Sequence, residues 1–159
     1  MSKIYVDEIA GIASADTVAI PGHVIQVVQN AYTSTTSVTS TTYTDTGVTA
    51  SITPKSSSSV VYIFSSMPYR INGNFDCSFK FLAQINGGGY SQLKEFTRVP
   101  GWLDNTAGTL VHVIEHTHGT TSQIDYKYQF KIDGGTPGTF RINNNTPSEC
   151  TLTVMEIAG

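Results

Sequence analysis

The sequence predicts an all-β protein, an antiparallel β-sandwich of jelly-roll type, on the evidence of two alternating stretches and the composition. Every second residue from Ile124 to Ile132 is apolar or aromatic, and polar residues fill the positions between them. This alternation is typical of a strand with one face on a core and the other in water, and Phe75–Ile85 repeats it. Charged residues make up 13% of the chain, about half the usual share, while abundant Thr, Val and aromatic residues favour strands.

Nine or ten strands are expected, at spacings of roughly 8–15 residues, as in sandwich folds. Thr33–Thr46 is predicted as an edge strand or a loop, and the nearly continuous apolar run Val60–Ser65 as a central strand buried on both faces. Asn72–Asn74 and Asn86–Gly89 carry turn residues, and the second of these turns closes a hairpin. The other expected strands are His23–Tyr32, Gly47–Thr53, Tyr90–Thr97, Thr109–Thr117, Thr139–Asn143 and Cys150–Ile157.

The 159 residues divide into a short N-terminal arm, residues 1–22, and one sandwich domain, residues 23–159. The arm ends at Ile20-Pro21-Gly22, which breaks the chain, and it is too short to fold alone. Five apolar residues lie along it: Ile4, Val6, Ile9, Ile12 and Val18. We therefore expect the arm to dock against the body, another subunit or a larger assembly, although a solvated terminus is the alternative.

Charge and hydropathy exclude several classes of partner. The net charge is −3 with a pI of about 5.7, and no basic patch is available for a phosphate backbone, so nucleic-acid binding is not expected. The N-terminus lacks the pattern of a secretory signal, and no apolar run is long enough to span a bilayer. These features predict a protein made in a cytoplasm, where disulfides are rare, so Cys77 and Cys150 are expected to be buried thiols.

No catalytic motif is recognisable in the sequence, and we expect neither an enzyme nor a cofactor. Gly87–Gly89 is rich in glycine, but no helix is expected after it, as a phosphate cradle would require. Carboxylates are scattered, and the sequence does not decide whether any pair has the roughly 5–9.5 Å separation of a glycosidase. The single tryptophan, Trp102, is either a core residue or an exposed platform for sugar stacking.

Three histidines share one face of a predicted strand. His112, His116 and His118 lie at even spacing, so their rings project in the same direction. In a threefold assembly, the His116 and His118 pairs of three subunits could supply imidazoles to a transition metal. The alternative is an ordinary polar strand end beside Gly119, because the sequence fixes no carboxylate or cysteine partner nearby.

Four segments resemble small virion proteins of tailed bacteriophages, in particular those of the marine cyanophage type. They are IPGHVIQVVQ at 20–29, TDTGVTASITP at 44–54, Asp125–Lys131 and Leu152–Ile157. These motifs are structural and not catalytic, and the likeness covers most of the chain. The resemblance implies a trimeric β-sandwich on the surface of a virion, of the kind called a tail-fibre-like or virion structural protein.

The resemblance favours a non-enzymatic structural role as a head decoration, a short fibre or a fibre knob. The N-terminal arm would then anchor a homotrimer to other virion proteins of the capsid or tail. The alternative is a lectin-like, receptor-binding module of a tail fibre that contacts host surface glycans. Its contacts would come from the loops Asn72–Asn74 and Gly101–Asn105, through Asn72, Asn74, Trp102 and Asp104. A glycan-cleaving enzyme is the weakest hypothesis, because such tailspikes are usually far longer.

Overall fold

A computed structural model describes residues 21–99, 105–135, 138–143 and 149–159. The regular elements within these ranges are ten strands, without a helix, so the part of the chain described here holds no helix that could span a membrane. The strands are β1 (Val24–Tyr32), β2 (Thr36–Val38), β3 (Thr44–Ile52), β4 (Val60–Asn72), β5 (Phe75–Ile85), β6 (Ser91–Val99), β7 (Thr106–Thr117), β8 (Ile124–Gly135), β9 (Thr139–Ile142) and β10 (Cys150–Ile157).

The strands form two antiparallel sheets. The six-stranded sheet, called sheet A, has the order β1-β10-β4-β9-β2, and β7 pairs with β4. The long β4 organises it, because β10 and then β9 pair along one side of β4 while β7 covers residues 60–71 on the other side. The four-stranded sheet, called sheet B, has the order β3-β8-β5-β6.

The strand order is that of a jelly roll. If the short strands β2 and β9 are left aside, the two sheets read β1-β10-β4-β7 and β3-β8-β5-β6. This is the arrangement of eight strands in two Greek keys. The predicted fold class, an all-β antiparallel sandwich of jelly-roll type, is therefore confirmed.

The interior between the sheets contains a cluster of aromatic side chains surrounded by aliphatic ones. Tyr126, Tyr128 and Phe130, which alternate along β8, are fully buried, as the alternation predicted. The ring of Phe81 on β5 lies 4.5 Å from that of Tyr128 between centroids. The Tyr128 hydroxyl forms a 2.9 Å hydrogen bond with Ser65 of β4, so this side chain of sheet B also contacts sheet A.

The prediction that Val60–Ser65 is buried on both faces is wrong. The strand is central in sheet A, but only its inner face, with Val61 and Ile63, is buried, and Phe64 on the outer face is 39% exposed. The outer face of sheet A has no second layer over it within the described residues. An apolar run thus indicated a central strand without indicating which of its faces is covered.

Two predicted connections take a definite form. The stretch Thr33–Thr46 is divided between the short β2 and the start of β3, with a loop between them. Asn86 and Gly87 both have positive φ, 49° and 69°, which is the requirement of a type I′ hairpin turn. The hairpin expected between β5 and β6 is therefore confirmed.

Both cysteines are buried free thiols, as predicted. Burial raises the pKa of Cys77 to about 12, with a further contribution from the charge of Asp133, and burial raises that of Cys150 to about 11. Residues 1–20 of the proposed N-terminal arm, with Ile4, Val6, Ile9, Ile12 and Val18, lie outside the described residues, as do Trp102 and Asp104.

Candidate functional site

The outer face of sheet A carries several exposed apolar residues among uncharged polar ones. Val111 and Val113 of the edge strand β7 are 68% and 58% exposed, and Val113 lies opposite Phe64 of β4. The pattern continues across the sheet through Tyr62, which pairs with Met155, and Met155 pairs with Val27. We call this surface the apolar face; its residues are Val27, Tyr62, Phe64, Val111, Val113 and Met155.

The outer face of sheet B is polar and charged. Lys127 Nζ lies 2.9 Å from the carboxylate of Asp45, which also accepts a 2.8 Å hydrogen bond from Gln129. Lys131 and Asp133 form a second ion pair at 3.1 Å. We call this surface the charged face; its charged residues include Asp45, Asp76, Lys80, Glu95, Asp125, Lys127, Lys131 and Asp133.

A polar cleft of about 580 Å³ opens at one end of the charged face. Its lining comes from β5, β6 and β8, and consists of Asp76, Ser78, Thr97, Lys131, Asp133 and Gly134. Ser78 is almost fully buried, and its hydroxyl donates a 2.5 Å hydrogen bond to Asp133. The cleft therefore brings carboxylates, hydroxyls and one ammonium group together in a single depression.

Tyr43 lies beside this cleft. The ammonium groups of Lys80 and Lys131 are 4.4 Å and 5.1 Å from the centre of its ring. Its hydroxyl donates a 2.5 Å hydrogen bond to Glu95. Burial, the hydrogen bond to Glu95 and the negative charge of Glu95 raise the pKa of Tyr43, so the phenol remains protonated at neutral pH.

His112 and His116 of β7, and His118 just after it, project into the sandwich. The ring of His112 stacks on Phe96 of β6 at 3.7 Å between centroids and 6° between planes. His116 Nδ1 shares a 2.8 Å hydrogen bond with the Tyr126 hydroxyl. Burial lowers the pKa of both imidazoles, and the neighbouring His118 lowers that of His116 further. The shared face was predicted correctly, but it is the inner face of the sheet.

This orientation bears on the predicted metal site. The rings of His116 and His118 have centroids 6.1 Å apart, and both rings already have hydrogen-bond partners inside the sandwich. Among the described residues, no group of three or more His, Cys, Asp or Glu side chains is placed to hold a metal ion. An arrangement of these imidazoles around a threefold axis would require rings that point outward from sheet A.

A buried Ser, His and Glu lie together beside β10. Ser59 Oγ donates to Glu156 at 2.6 Å, and it lies 3.3 Å from His118 Nε2. The Thr120 N–H donates to His118 Nδ1 at 3.2 Å, so a neutral His118 ring carries its proton on Nε2 and donates to Ser59. This direction is opposite to that of a nucleophile activated by a histidine base, and Ser59 and Glu156 are fully buried.

Glu156 is a structural carboxylate that the sequence analysis missed. Burial opposes its ionisation, but donors from Ser59, Gln26 and the backbone N–H groups of Ser56 and Lys55 outweigh burial and lower its pKa. These hydrogen bonds fix the 54–59 turn against β10. The sequence did contain a sign of this role: Glu156 occupies an inward position of an alternating strand, where a carboxylate needs buried hydrogen-bond donors.

The predicted glycan contacts are only partly described. Asn72 and Asn74 are exposed at the turn between β4 and β5, and Trp102 and Asp104 lie outside the described residues. The polar cleft was not predicted. The alternation of residues indicated which side chains of β5 and β8 face outward. It did not indicate that the outward side chains at the ends of these strands lie together in one cleft.

Comparison with known proteins gives no family. No protein-family model and no curated protein matches the sequence. Among solved structures, a fold match to the infectious bursal disease virus Gx strain has 12% identity and a TM-score of 0.44, covering 84% of this chain and 37% of that one. T=1 particles derived from the same virus match with 10% identity and a TM-score of 0.43, covering 100% of this chain and 41% of that one.

A third solved structure that matches is described as "CBM4 structure and function". It has 12% identity and a TM-score of 0.27, and it covers 82% of this chain and 92% of that one. The chain thus spans less than half the length of the viral chains that it matches. Matches with identities and TM-scores this low carry no information about the function of this chain.

Proposed function

We propose that this protein is a non-enzymatic structural component of a bacteriophage virion surface, as a head decoration, a short fibre or a fibre knob. The observation that carries the proposal is the contrast between the apolar face of sheet A and the charged face of sheet B. A protein of an assembled particle covers one surface with neighbours and presents another to the solvent. The sequence motifs that resemble virion proteins of tailed bacteriophages add a second, independent support.

The proposed neighbours on the apolar face are further copies of this chain, in a homotrimer. β7 is a 12-residue edge strand with two strongly exposed valines, and long apolar edges are a liability that closed symmetric association removes. Glu115 is the one charged residue that β7 contributes to this face, and its carboxylate accepts a 2.6 Å hydrogen bond from Tyr62. β7 therefore brings one charge that would lose water when the face is covered, while Arg70 of β4 and Arg141 of β9 lie further along the same side of sheet A.

The attachment of this trimer to the particle is assigned to the N-terminal arm. Ile4, Val6, Ile9, Ile12 and Val18 are apolar residues in a segment without a core of its own, and they would bind other virion proteins of the capsid or tail. Removal of residues 1–20 should leave a folded body that no longer joins particles. Truncated protein that still joins particles would place the anchor elsewhere.

Light scattering on the purified protein tests the trimer. The expected mass is close to three times 17.1 kDa at micromolar concentration. A monomer under these conditions would contradict the homotrimer and remove the occupant proposed for the apolar face.

The second candidate function is lectin-like binding of a host surface glycan, and the polar cleft is the observation that favours it. The cleft lies on the charged face, which remains open when the apolar face is covered. Both functions can belong to one protein, since they use opposite sheets. An enzymatic role is not proposed, because the direction of the His118, Ser59 and Glu156 hydrogen bonds does not activate the serine.

A further inference from the structure

We propose that the polar cleft of sheet B binds a neutral saccharide unit. The cleft has a volume of about 580 Å³, which falls within the range of small-molecule sites, about 300–1,000 Å³. The proposal rests on the second candidate function above and gives it a site and a ligand class. It places recognition on the outer face of the sheet and not on the loops that the sequence indicated.

The lining groups match the hydroxyls of a sugar. A sugar hydroxyl both donates and accepts, so a site for it needs acceptors and donors side by side. The lining offers two carboxylate acceptors, from Asp76 and Asp133, and one donor, from Lys131. The hydroxyl of Thr97 can both donate and accept. An apolar ligand would leave these groups without partners, which costs binding energy.

Asp76 is the residue most available to a ligand. Within the part of the chain that the structure describes, its carboxylate has no hydrogen-bond or ion-pair partner, although its side chain is partly buried in the cleft wall. Asp133, in contrast, is held by Ser78 and Lys131. The cleft therefore combines one oriented carboxylate with one that has unused acceptor capacity.

Two irregularities in the sheet coincide with the cleft. The pairing of β5 with β8 shifts register between Phe75 and Cys77, and the pairing of β5 with β6 shifts between Cys77 and Phe79. Asp76 and Ser78 are the residues within these two shifts. Bulges redirect side chains and are common beside functional sites, whereas a regular ladder would have sufficed for a solvated sheet surface.

The charges of the cleft lining disfavour anionic ligands and metal cations. Asp76 and Asp133 against Lys131 give the lining an excess of negative charge, which disfavours a phosphate, a sulfate or an acidic sugar. The Lys131 ammonium disfavours a metal cation at the same place. Both lysines over Tyr43 occupy its ring, so recognition uses hydrogen bonds and not stacking on that ring.

The experiment is an NMR titration of the full protein, labelled with ¹⁵N, with a panel of saccharides. Methyl glycosides of glucose, galactose and mannose, and N-acetylglucosamine, are the neutral probes, and N-acetylneuraminic acid is the anionic comparison. We expect at least one neutral probe to shift the amide signals of Asp76–Ser78, Thr97 and Lys131–Gly134 in a saturable manner, with weaker or absent binding of the anionic sugar. Preferential binding of the anionic sugar, saturable shifts confined to other regions, or no shift with any probe would overturn the proposal.

Variants assign any binding to the cleft. Asp76→Asn removes the charge of the unpartnered carboxylate and keeps its size, and it should weaken the neutral probe by roughly tenfold or more. Asp125→Asn on the same outer face, away from the cleft, is the matched control and should leave the affinity unchanged. Thr97→Val is a second cleft variant, should Asp76→Asn fold poorly. Equal affinities for the wild type and both cleft variants would contradict the site.

The outcome is separable from the virion role. Asp76→Asn protein should still form the wild-type oligomer and still join particles, because the substitution lies on the sheet opposite the apolar face. If saccharide binding is seen in a protein that joins no particle, the cleft stands and the virion proposal fails. If the protein joins particles but binds no saccharide, the cleft proposal fails alone.

Discussion

The two sheets of this sandwich share one interior but have different outer faces. On sheet A, Val111 and Val113 expose more than half of their surface next to Phe64. On sheet B, the corresponding outward positions hold ion pairs such as Lys127 with Asp45. Both sheets bury alternate side chains in the same core. The two outer faces therefore differ in the outward-facing residues and not in the fold. The apolar face is suited to protein neighbours, and the charged face to water and to a polar ligand.

The largest effect expected from this comparison is on assembly. Val113→Lys places a charge on the apolar face, at its edge strand β7, and should convert the trimer to a monomer, because the charge would have to be desolvated without a partner. Light scattering measures the mass directly. Thr49→Lys, at an exposed outward position of β3 in sheet B, is the matched control and should leave the mass unchanged. A trimer that tolerates Val113→Lys would show that the two faces do not differ in this role.

The next effect concerns the interior on which both faces depend. Tyr128→Ala should lower the free energy of unfolding by about 3–5 kcal/mol, the range for truncation of a buried aromatic residue. Tyr128→Phe should lower the free energy of unfolding by only about 1 kcal/mol, because it removes the hydrogen bond to Ser65 and keeps the ring. Urea unfolding followed by circular dichroism gives both values. An unchanged midpoint in Tyr128→Ala would mean that β8 has the opposite orientation.

A smaller effect on stability is expected from pH, through the histidines at the edge of the sandwich where β7 of sheet A packs against β6 of sheet B. Burial lowers the pKa of His112 and His116, so the unfolded chain binds protons more readily than the folded one. The stability contributed by the two neutral imidazoles is fully present above 6.5, the pKa of histidine in the unfolded chain. It is lost as the pH falls from there toward the pKa values of the folded state. We therefore expect the thermal midpoint to fall between pH 7.5 and pH 5.5.

His112→Phe provides the control for this pH effect. Phenylalanine can keep the stacking on Phe96 but cannot be protonated, so the slope of the midpoint against pH should become shallower. The carboxylates with lowered pKa, Glu156 and Asp45, lose their contribution only at lower pH, as the pH falls through their folded values. A slope that is identical in the variant would show that His112 is not one of the groups responsible.

The smallest effect is expected on the charged face. Lys127→Ala breaks the 2.9 Å ion pair with Asp45 and the contact of the ammonium group with the Tyr90 ring; the Asp45 side chain is 57% exposed and that of Lys127 16%. Surface pairs of this kind contribute about 0–1 kcal/mol, so the free energy of unfolding should change by no more than that and the oligomer mass should not change. A loss comparable to that of Tyr128→Ala would mean that the charged face supports the fold and is not merely solvated.

The sequence predicted the inward-facing half of the molecule well. Alternation placed Phe75–Ile85 and Cys150–Ile157 with their observed bounds, because a strand with one covered face leaves a period of two in its residues. It did not predict that β4 continues to Asn72. Proline cannot donate to a ladder, and Pro68 lies between the part of β4 that pairs with β10 and the part that pairs with β9.

The outward-facing half depends on information that a single sequence lacks. Thr97, Asp76 and Asp133 lie far apart along the chain, and only the register between β5, β6 and β8, with its two shifts, brings them to one cleft. The histidines show the same limit. Their common face followed from spacing, but its inward direction followed from the pairing of β7 with β4 and from the position of Phe96.

The orientation of the two faces in an electron-microscopy map of the particle that carries this protein tests the central claim most directly. The account predicts three copies around a common axis, with Val111, Val113 and Phe64 of each sheet A covered by neighbouring copies. It also predicts that the polar cleft of each sheet B opens to the solvent. A map in which the charged face lies against neighbouring protein while the apolar face is exposed to solvent would contradict it.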